Sequence, residues 1–195
     1  TLENDLHQLE ALSVDVVFLP TKELMYPVEY STFVNEISVS VGLESTSRPA
    51  YFRGVTTIVA KLFNIINPTH TFFGEKDAQQ LRVIQKMVND LNYSINVIPC
   101  PIIREDNGLA MSSRNEYLSP NARESASIIY LGLKHGMLLL NNGERNPKII
   151  REEITKIIQR EANANVDYIS ISDNLSLKEI NGEITGDILI STAVY

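Results

Sequence analysis

The residues best suited to chemistry stand in two short polar turns, Gly74-Glu75-Lys76-Asp77 and Met111-Ser112-Ser113-Arg114-Asn115. In the first, an apolar run at Thr71–Phe73 reads as the end of a buried strand, and Gly74 breaks it. From Ala78 the apolar residues Leu81, Ile84, Val88 and Leu91 fall at helical spacing. A turn between a strand and a helix aims unpaired backbone N–H groups at one point, and that point favours anions. Lys76 adds a mobile cation suited to phosphate oxygens. Asp77 is suited to orient the lysine or to hold a metal such as Mg2+. Gln80 lies within one helical turn of both. The competing reading of this stretch is an exposed polar turn capped by Asp77. In the second turn, Ser112 and Ser113 hydroxyls flank Arg114. Together, Lys76 and Arg114 are placed to clamp a polyphosphate from two sides, each charge-assisted hydrogen bond contributing about 1.5–3 kcal/mol.

Other chemistries find no support. His7, His70 and His135 share no metal-ligand spacing, and Cys100 is the only cysteine, so a structural zinc site is not expected. No serine sits in a Gly-x-Ser-x-Gly elbow, and neither a Walker loop nor a Gly-x-Gly-x-x-Gly fingerprint occurs. A net charge of −7 argues against a nucleic-acid surface, which needs a basic face. One cysteine fits a reducing compartment, and no apolar stretch is long enough to span a bilayer. The expectation is a cytoplasmic protein acting on small molecules.

The elements that position the two turns follow from periodicity. Leu2, Leu6, Leu9 and Leu12 mark an amphipathic helix capped by Thr1, and Val14–Leu19 reads as a strand. Phe33–Val41 alternates at Ile37, Val39 and Val41, the pattern of a strand with one polar face. Val55–Ile66 is a helix stopped at Asn67-Pro68. The Thr71–Phe73 strand, the Ala78–Leu91 helix and an Ile95–Pro99 strand come next. Strand and helix alternate as far as Pro99, which predicts a largely parallel sheet covered by helices, with ligands beyond the strand carboxyl ends. After Pro101 the pattern changes. A strand from Ile102 runs into a turn at Gly108, one helix extends from Ser119-Pro120 to Asn141, and another opens at Asn146-Pro147. Strands at Val166–Ile171 and Asp187–Val194 complete a small α+β unit. The expected domains are 1–101, nucleotide-binding, and 102–195.

At the motif level the chain resembles the pantothenate synthetase family, the pantoate–β-alanine ligases. The matching segments are Met25-Tyr26-Pro27, Arg48-Pro49-x-x-Phe52-Arg53-Gly54-Val55, Ala60-Lys61-Leu62-Phe63-Asn64-Ile65, Phe73–Leu81, Asp106-x-Gly108 to Ser119, and Ile184-Thr185-Gly186, in family order. The resemblance implies a Rossmann-like α/β domain of nucleotidyltransferase type, related to class I aminoacyl-tRNA synthetases. Its parallel sheet would carry helices on both faces, with a small C-terminal α+β domain as a lid. It implies adenylation of pantoate by ATP, with Mg2+ and no tightly bound organic cofactor, then attack by β-alanine to give pantothenate and AMP. By matching position, Gly74, Glu75, Lys76, Asp77, Ile103, Met111, Ser112, Ser113 and Arg114 would contact ATP. Lys76, Ser112, Ser113 and Arg114 would serve catalysis, and Gln80 would hold pantoate. A homodimer is implied, with Phe33–Val41 a candidate contact.

Two departures from the family pattern stand out. Tyr51 occupies the place of a family histidine. The family's His-x-Gly-His segment, its first strand, a second pantoate-contacting glutamine and its last residues are absent from the 195 residues. The resulting expectation is an incomplete chain that is inactive by itself. Two alternatives stay open: a folding and dimerising fragment without catalysis, or an adenylate-forming enzyme for another small acid.

Overall fold

The computed structural model describes residues 1–195. The chain divides into two compact units, Thr1–Thr32 and Phe33–Tyr195. In the first, α1 (Leu2–Ala11) is capped by the Thr1 hydroxyl, which accepts from the Asn4 amide at 3.4 Å. A four-residue helix, α2 (Lys22–Met25), is capped in the same way by Thr21. The expected strand at Val14–Leu19 does not form. Its apolar run suits a pleated surface, but no segment pairs with it, and Val16 is 80% exposed. A strand is defined by its ladder, which local composition cannot supply.

The second unit opens with the other expected strand that is not one. Residues 33–37 form no strand, and the chain turns at residues 38–41, where the Val41 amide reaches back to the Ser38 carbonyl. The segment's backbone bonds to side chains rather than to a neighbouring strand. The Val34 N–H donates to Thr57 Oγ1 at 3.0 Å, and the Val34 carbonyl accepts from Thr56 Oγ1 at 2.7 Å. Glu36 accepts from the Ser38 and Ser40 amides, and the Val39 carbonyl accepts from Gln79 Nε2 at 3.0 Å. A short helix, α3 (Glu44–Ser47), leads into α4 (Tyr51–Ile66), which ends at a left-handed Asn67 before Pro68.

Next comes β1 (His70–Gly74), then α5 (Ala78–Asp90), then β2 (Asn96–Cys100). The two strands pair in parallel, with His70 opposite Asn96 and Gly74 opposite Cys100. Parallel strands joined through a helix give the expected α/β class. Ala60 and Phe63 of α4 meet Ile84, Met87 and Val88 of α5 in one core, with Phe73 and Val97 packed against it. The first strand is not buried as expected: residues alternate, and Phe72 stays 66% exposed on the opposite face.

Beyond β2, a single antiparallel bridge joins Arg104 to Ala110, closing a tight hairpin where a longer strand was expected. The long helix expected up to Asn141 is broken in two. α6 (Pro120–Ser125) is capped by Ser119, and α7 (Ile128–Asn141) follows. Between them the bonds tighten to the i−3 partner: Ser127 N–H to Glu124, Ile129 to Ala126, Tyr130 to Ser127. Such a 3-10 register resets the helix phase. α8 (Pro147–Ile158) buries Ile150, Ile154 and Ile158 completely, while Ile149 faces outward. β3 (Val166–Asp173) and β4 (Ile188–Val194) form an antiparallel pair with Ile171 opposite Ile190, and these strands close over the α8 isoleucines. No helix is long and apolar enough to cross a membrane.

Candidate active site

At the carboxyl end of β1 the chain passes through a 3-10 turn, Glu75–Asp77, into α5. Gly74 does not make this turn. It keeps an ordinary extended conformation, with open space where a Cβ would stand. Asp77 occupies the residue before α5, yet its side chain makes no capping bond. The carboxylate therefore does not cap α5. Its nearest cation is Lys76, at 3.9 Å, and both side chains are substantially exposed. At this distance and exposure the pair adds little to stability, and it leaves the ammonium group accessible to another anion.

The adjacent glutamines divide the work. Gln79 is 6% exposed. Its amide donates to the Val39 and Gly42 carbonyls and accepts from the Glu44 amide at 3.2 Å. It pins the chain before α3 against the start of α5. Gln80 faces the other way, with its Oε1 accepting from the Tyr51 hydroxyl at 3.4 Å.

The second polar turn is delivered by the Arg104–Ala110 hairpin. The Met111 amide donates to the Ile103 carbonyl at 2.9 Å, which sets the exit of the hairpin. Ser112 caps the following 3-10 turn, Ser113–Tyr117, accepting from the Arg114 amide at 3.2 Å. Arg114 enters no ion pair, unlike Arg48, which pairs with Glu44 at 3.1 Å. Behind the turn, the Glu105 carboxylate accepts from Asn115 Nδ2 and from Arg123 Nε and Nη2, all at 2.9 Å. The Arg123 and Asn115 bonds hold the Glu105 carboxyl below its usual range, so it stays charged into more acidic solution than a free glutamate.

The hairpin depends on one glycine. Gly108 sits at φ +92°, and a Cβ there would lie 2.4 Å from Tyr130 Cδ1. The same ring carries the Arg104 guanidinium 3.9 Å above its centre. Gly108→Ala should cost about 2–5 kcal/mol, from left-handed strain plus overpacking. Thermal denaturation checks this, and an unchanged Tm would show that the ring moves aside freely.

The two turns face one cleft of about 410 Å³. Of the residues expected from sequence, Glu75, Lys76, Asp77, Gln80, Ser112 and Arg114 line it. Gly74, Ile103, Met111 and Ser113 do not; Ile103 and Met111 are 65% and 56% exposed, and Ile102 lines the wall instead. The sequence reading gave no role to Glu44, Arg48, Tyr51, Arg104, Tyr130 or Tyr168, nor to the end of β4, all of which line the cleft. Arg48 and Tyr51 had a signal in the Arg48-Pro49-x-x-Phe52 motif. Tyr168 had none. Burial, then the Glu44 carboxylate, push its phenol up to about 12, so at neutral pH it is a neutral wall residue. No group of three or more His, Cys, Asp or Glu side chains is arranged to hold a metal ion.

The profile of the family described as Pantoate-beta-alanine ligase matches residues 1–195. A pantothenate synthetase of Acetivibrio thermocellus is 50% identical over 193 residues, 99% of this chain and 68% of that protein. One from Thermotoga petrophila is 45% identical over 99% of this chain and 69% of its own length. The crystal structure of the Thermus thermophilus pantothenate synthetase superposes with a TM-score of 0.92 at 33% identity, covering 99% of this chain and 70% of that one. A Francisella tularensis pantoate-beta-alanine ligase, solved with β,γ-ATP and β-alanine, gives a TM-score of 0.71 at 28% identity, covering 100% of this chain and 70% of that one.

Proposed function

This chain belongs to the pantoate–β-alanine ligase family, and from that premise we propose that it forms pantothenate from pantoate, β-alanine and ATP. The observation that carries the reading is the shared cleft. Two cationic turns, Lys76 and Arg114, open onto the same space as Gln80. ATP enters with Mg2+ as part of the substrate, and the open Asp77 carboxylate is available to it. In the first step a pantoate carboxylate oxygen attacks the α-phosphorus, and the bond to the β-phosphate oxygen breaks. Pyrophosphate leaves carrying the displaced electron pair. Lys76 and Arg114 stabilise the charge that moves onto it. Ser112 adds a hydroxyl at the same turn. In the second step the β-alanine amine attacks the pantoyl carbonyl carbon, and AMP departs as the amine loses a proton.

Gln80 is assigned to pantoate. Because its Oε1 accepts from Tyr51, its NH2 group is left free to donate to a pantoate oxygen. Gly74, Glu75, Ile103, Met111 and Ser113 are proposed as backbone or peripheral ATP contacts on family position alone. The change from a parallel pair before Pro101 to an antiparallel pair after it supports a division into a nucleotide-binding part, 1–101, and a lid, 102–195. A homodimer acting in the cytoplasm completes the proposal.

The test is AMP release by the protein at its natural full length, with each substrate omitted in turn. AMP that requires ATP, pantoate and β-alanine together supports the reading. Pyrophosphate exchange driven by another small acid, and not by pantoate, overturns it.

A further inference from the structure

The turn that presents Arg114 is short, exposed and unpaired at its tip, yet its base is locked. Asn115 is 8% exposed, and its Nδ2 donates to both the Ala110 carbonyl at 3.1 Å and Glu105 Oε1 at 2.9 Å. Glu105 also takes Arg123 of α6 through both carboxylate oxygens, a fork geometry that fixes direction as well as distance. The backbone of Glu105 is held too. Its amide donates to the Leu109 carbonyl and its carbonyl accepts from the Gly108 amide, both at 2.8 Å. One carboxylate therefore ties together the hairpin, the 3-10 turn and α6.

We infer that Glu105 is a positioning residue for the ATP phosphates: it braces the Ser112–Asn115 turn so that Arg114 faces the cleft before substrate arrives. This rests on the ligase reading above. Two consequences of the geometry carry it. Arg123 is satisfied by Glu105 and so does not compete with Arg114 for the incoming anion. Ser112 and Asn115, the two ends of the turn, are each bonded: the Asn115 amide donates to the Ser112 carbonyl at 3.0 Å, and the Asn115 side chain is held by Glu105. A turn already ordered gives up little conformational entropy on binding.

The experiment compares Glu105→Ala, Glu105→Gln and Arg123→Met with the full-length parent in ATP binding, in KM for ATP and for pantoate, and in amide hydrogen exchange across 112–116. Losing charge-assisted bonds behind the turn should raise KM for ATP about tenfold or more in Glu105→Ala. KM for pantoate should stay within about twofold, and exchange at 114–116 should quicken. Glu105→Gln, which keeps an acceptor for Asn115, should fall between the two. ATP binding unchanged in a folded Glu105→Ala protein, or ATP and pantoate constants rising together, overturns the inference. Should Glu105→Ala fail to fold, the other two variants decide by the same comparison. A parent that binds no ATP overturns the ligase reading and this inference with it.

Discussion

Lys76→Ala is expected to lower kcat for AMP formation by about 10²–10³, the size of effect seen when one preorganised donor to a developing oxyanion is removed. The loss should appear in the first half-reaction, as slower pyrophosphate exchange. Attack of β-alanine on pre-formed pantoyl adenylate should be affected less, since pyrophosphate has already left. Stability should hardly change. Lys76 is 40% exposed, and its sole ion pair is the 3.9 Å contact with Asp77, worth a fraction of a kcal/mol at most for such an exposed pair. A folded variant with activity within a few-fold of the parent would remove Lys76 from the phosphate grip. Arg114→Ala provides the matching comparison across the cleft. If the two cations act on the same leaving group, the double variant should lose less than the product of the single losses, because groups serving one charge are not independent.

That pairing is legible in the sequence for a physical reason. A short apolar run ends at Phe73 and a helical apolar period of about 3.6 begins after Gly74-Glu75-Lys76-Asp77, and such a change marks a strand-to-helix junction. The second turn announces itself through the run of hydroxyl, cationic and amide side chains at Ser112-Ser113-Arg114-Asn115. The brace behind it is not legible. Asn115 and Arg123 stand 10 and 18 residues from Glu105, and nothing in a linear pattern says that a hairpin, a 3-10 turn and a helix will meet there. The break between α6 and α7 is also hidden, because Ala126 and Ser127 do not interrupt the apolar run that follows. Gly132 and Gly136 also go unread, as glycines inside a helical apolar pattern. Four apart on α7, they let α8 approach so closely that a Cβ on Gly136 would meet Ile154 Cδ1 at 2.6 Å.

Thr56→Val with Thr57→Val should destabilise the protein by about 2–5 kcal/mol, although valine nearly matches threonine in shape. Both hydroxyls are buried, Thr56 fully and Thr57 to within 2%. The Thr57 hydroxyl accepts from the Val34 amide and donates to the Arg53 carbonyl at 2.6 Å. Thr56 donates toward the Val34 carbonyl at 2.7 Å and its own helix at Phe52. The double change therefore strands both backbone groups of the half-buried Val34, and a partly buried group left unpaired loses the bond that offsets its desolvation. For a unit of this size the loss corresponds to a fall in Tm of about 4–20 °C. Thr56→Ser with Thr57→Ser keeps the hydroxyls and should recover most of it. A valine pair melting within about 2 °C of the parent would show that water replaces the threonines. The same pair explains why Phe33–Val41 mimics a strand. Alternation at Ile37, Val39 and Val41 does not even mark one buried face, since Val39 is buried while Ile37 and Val41 are 76% and 64% exposed; it is also silent on where the amides find partners. Here two threonines on α4 and the buried amide of Gln79 supply those partners. Loosening them should therefore be felt beyond stability. Gln79 links this segment to Glu44, which holds Arg48 in the cleft wall, so a folded valine pair should also bind its substrates more weakly.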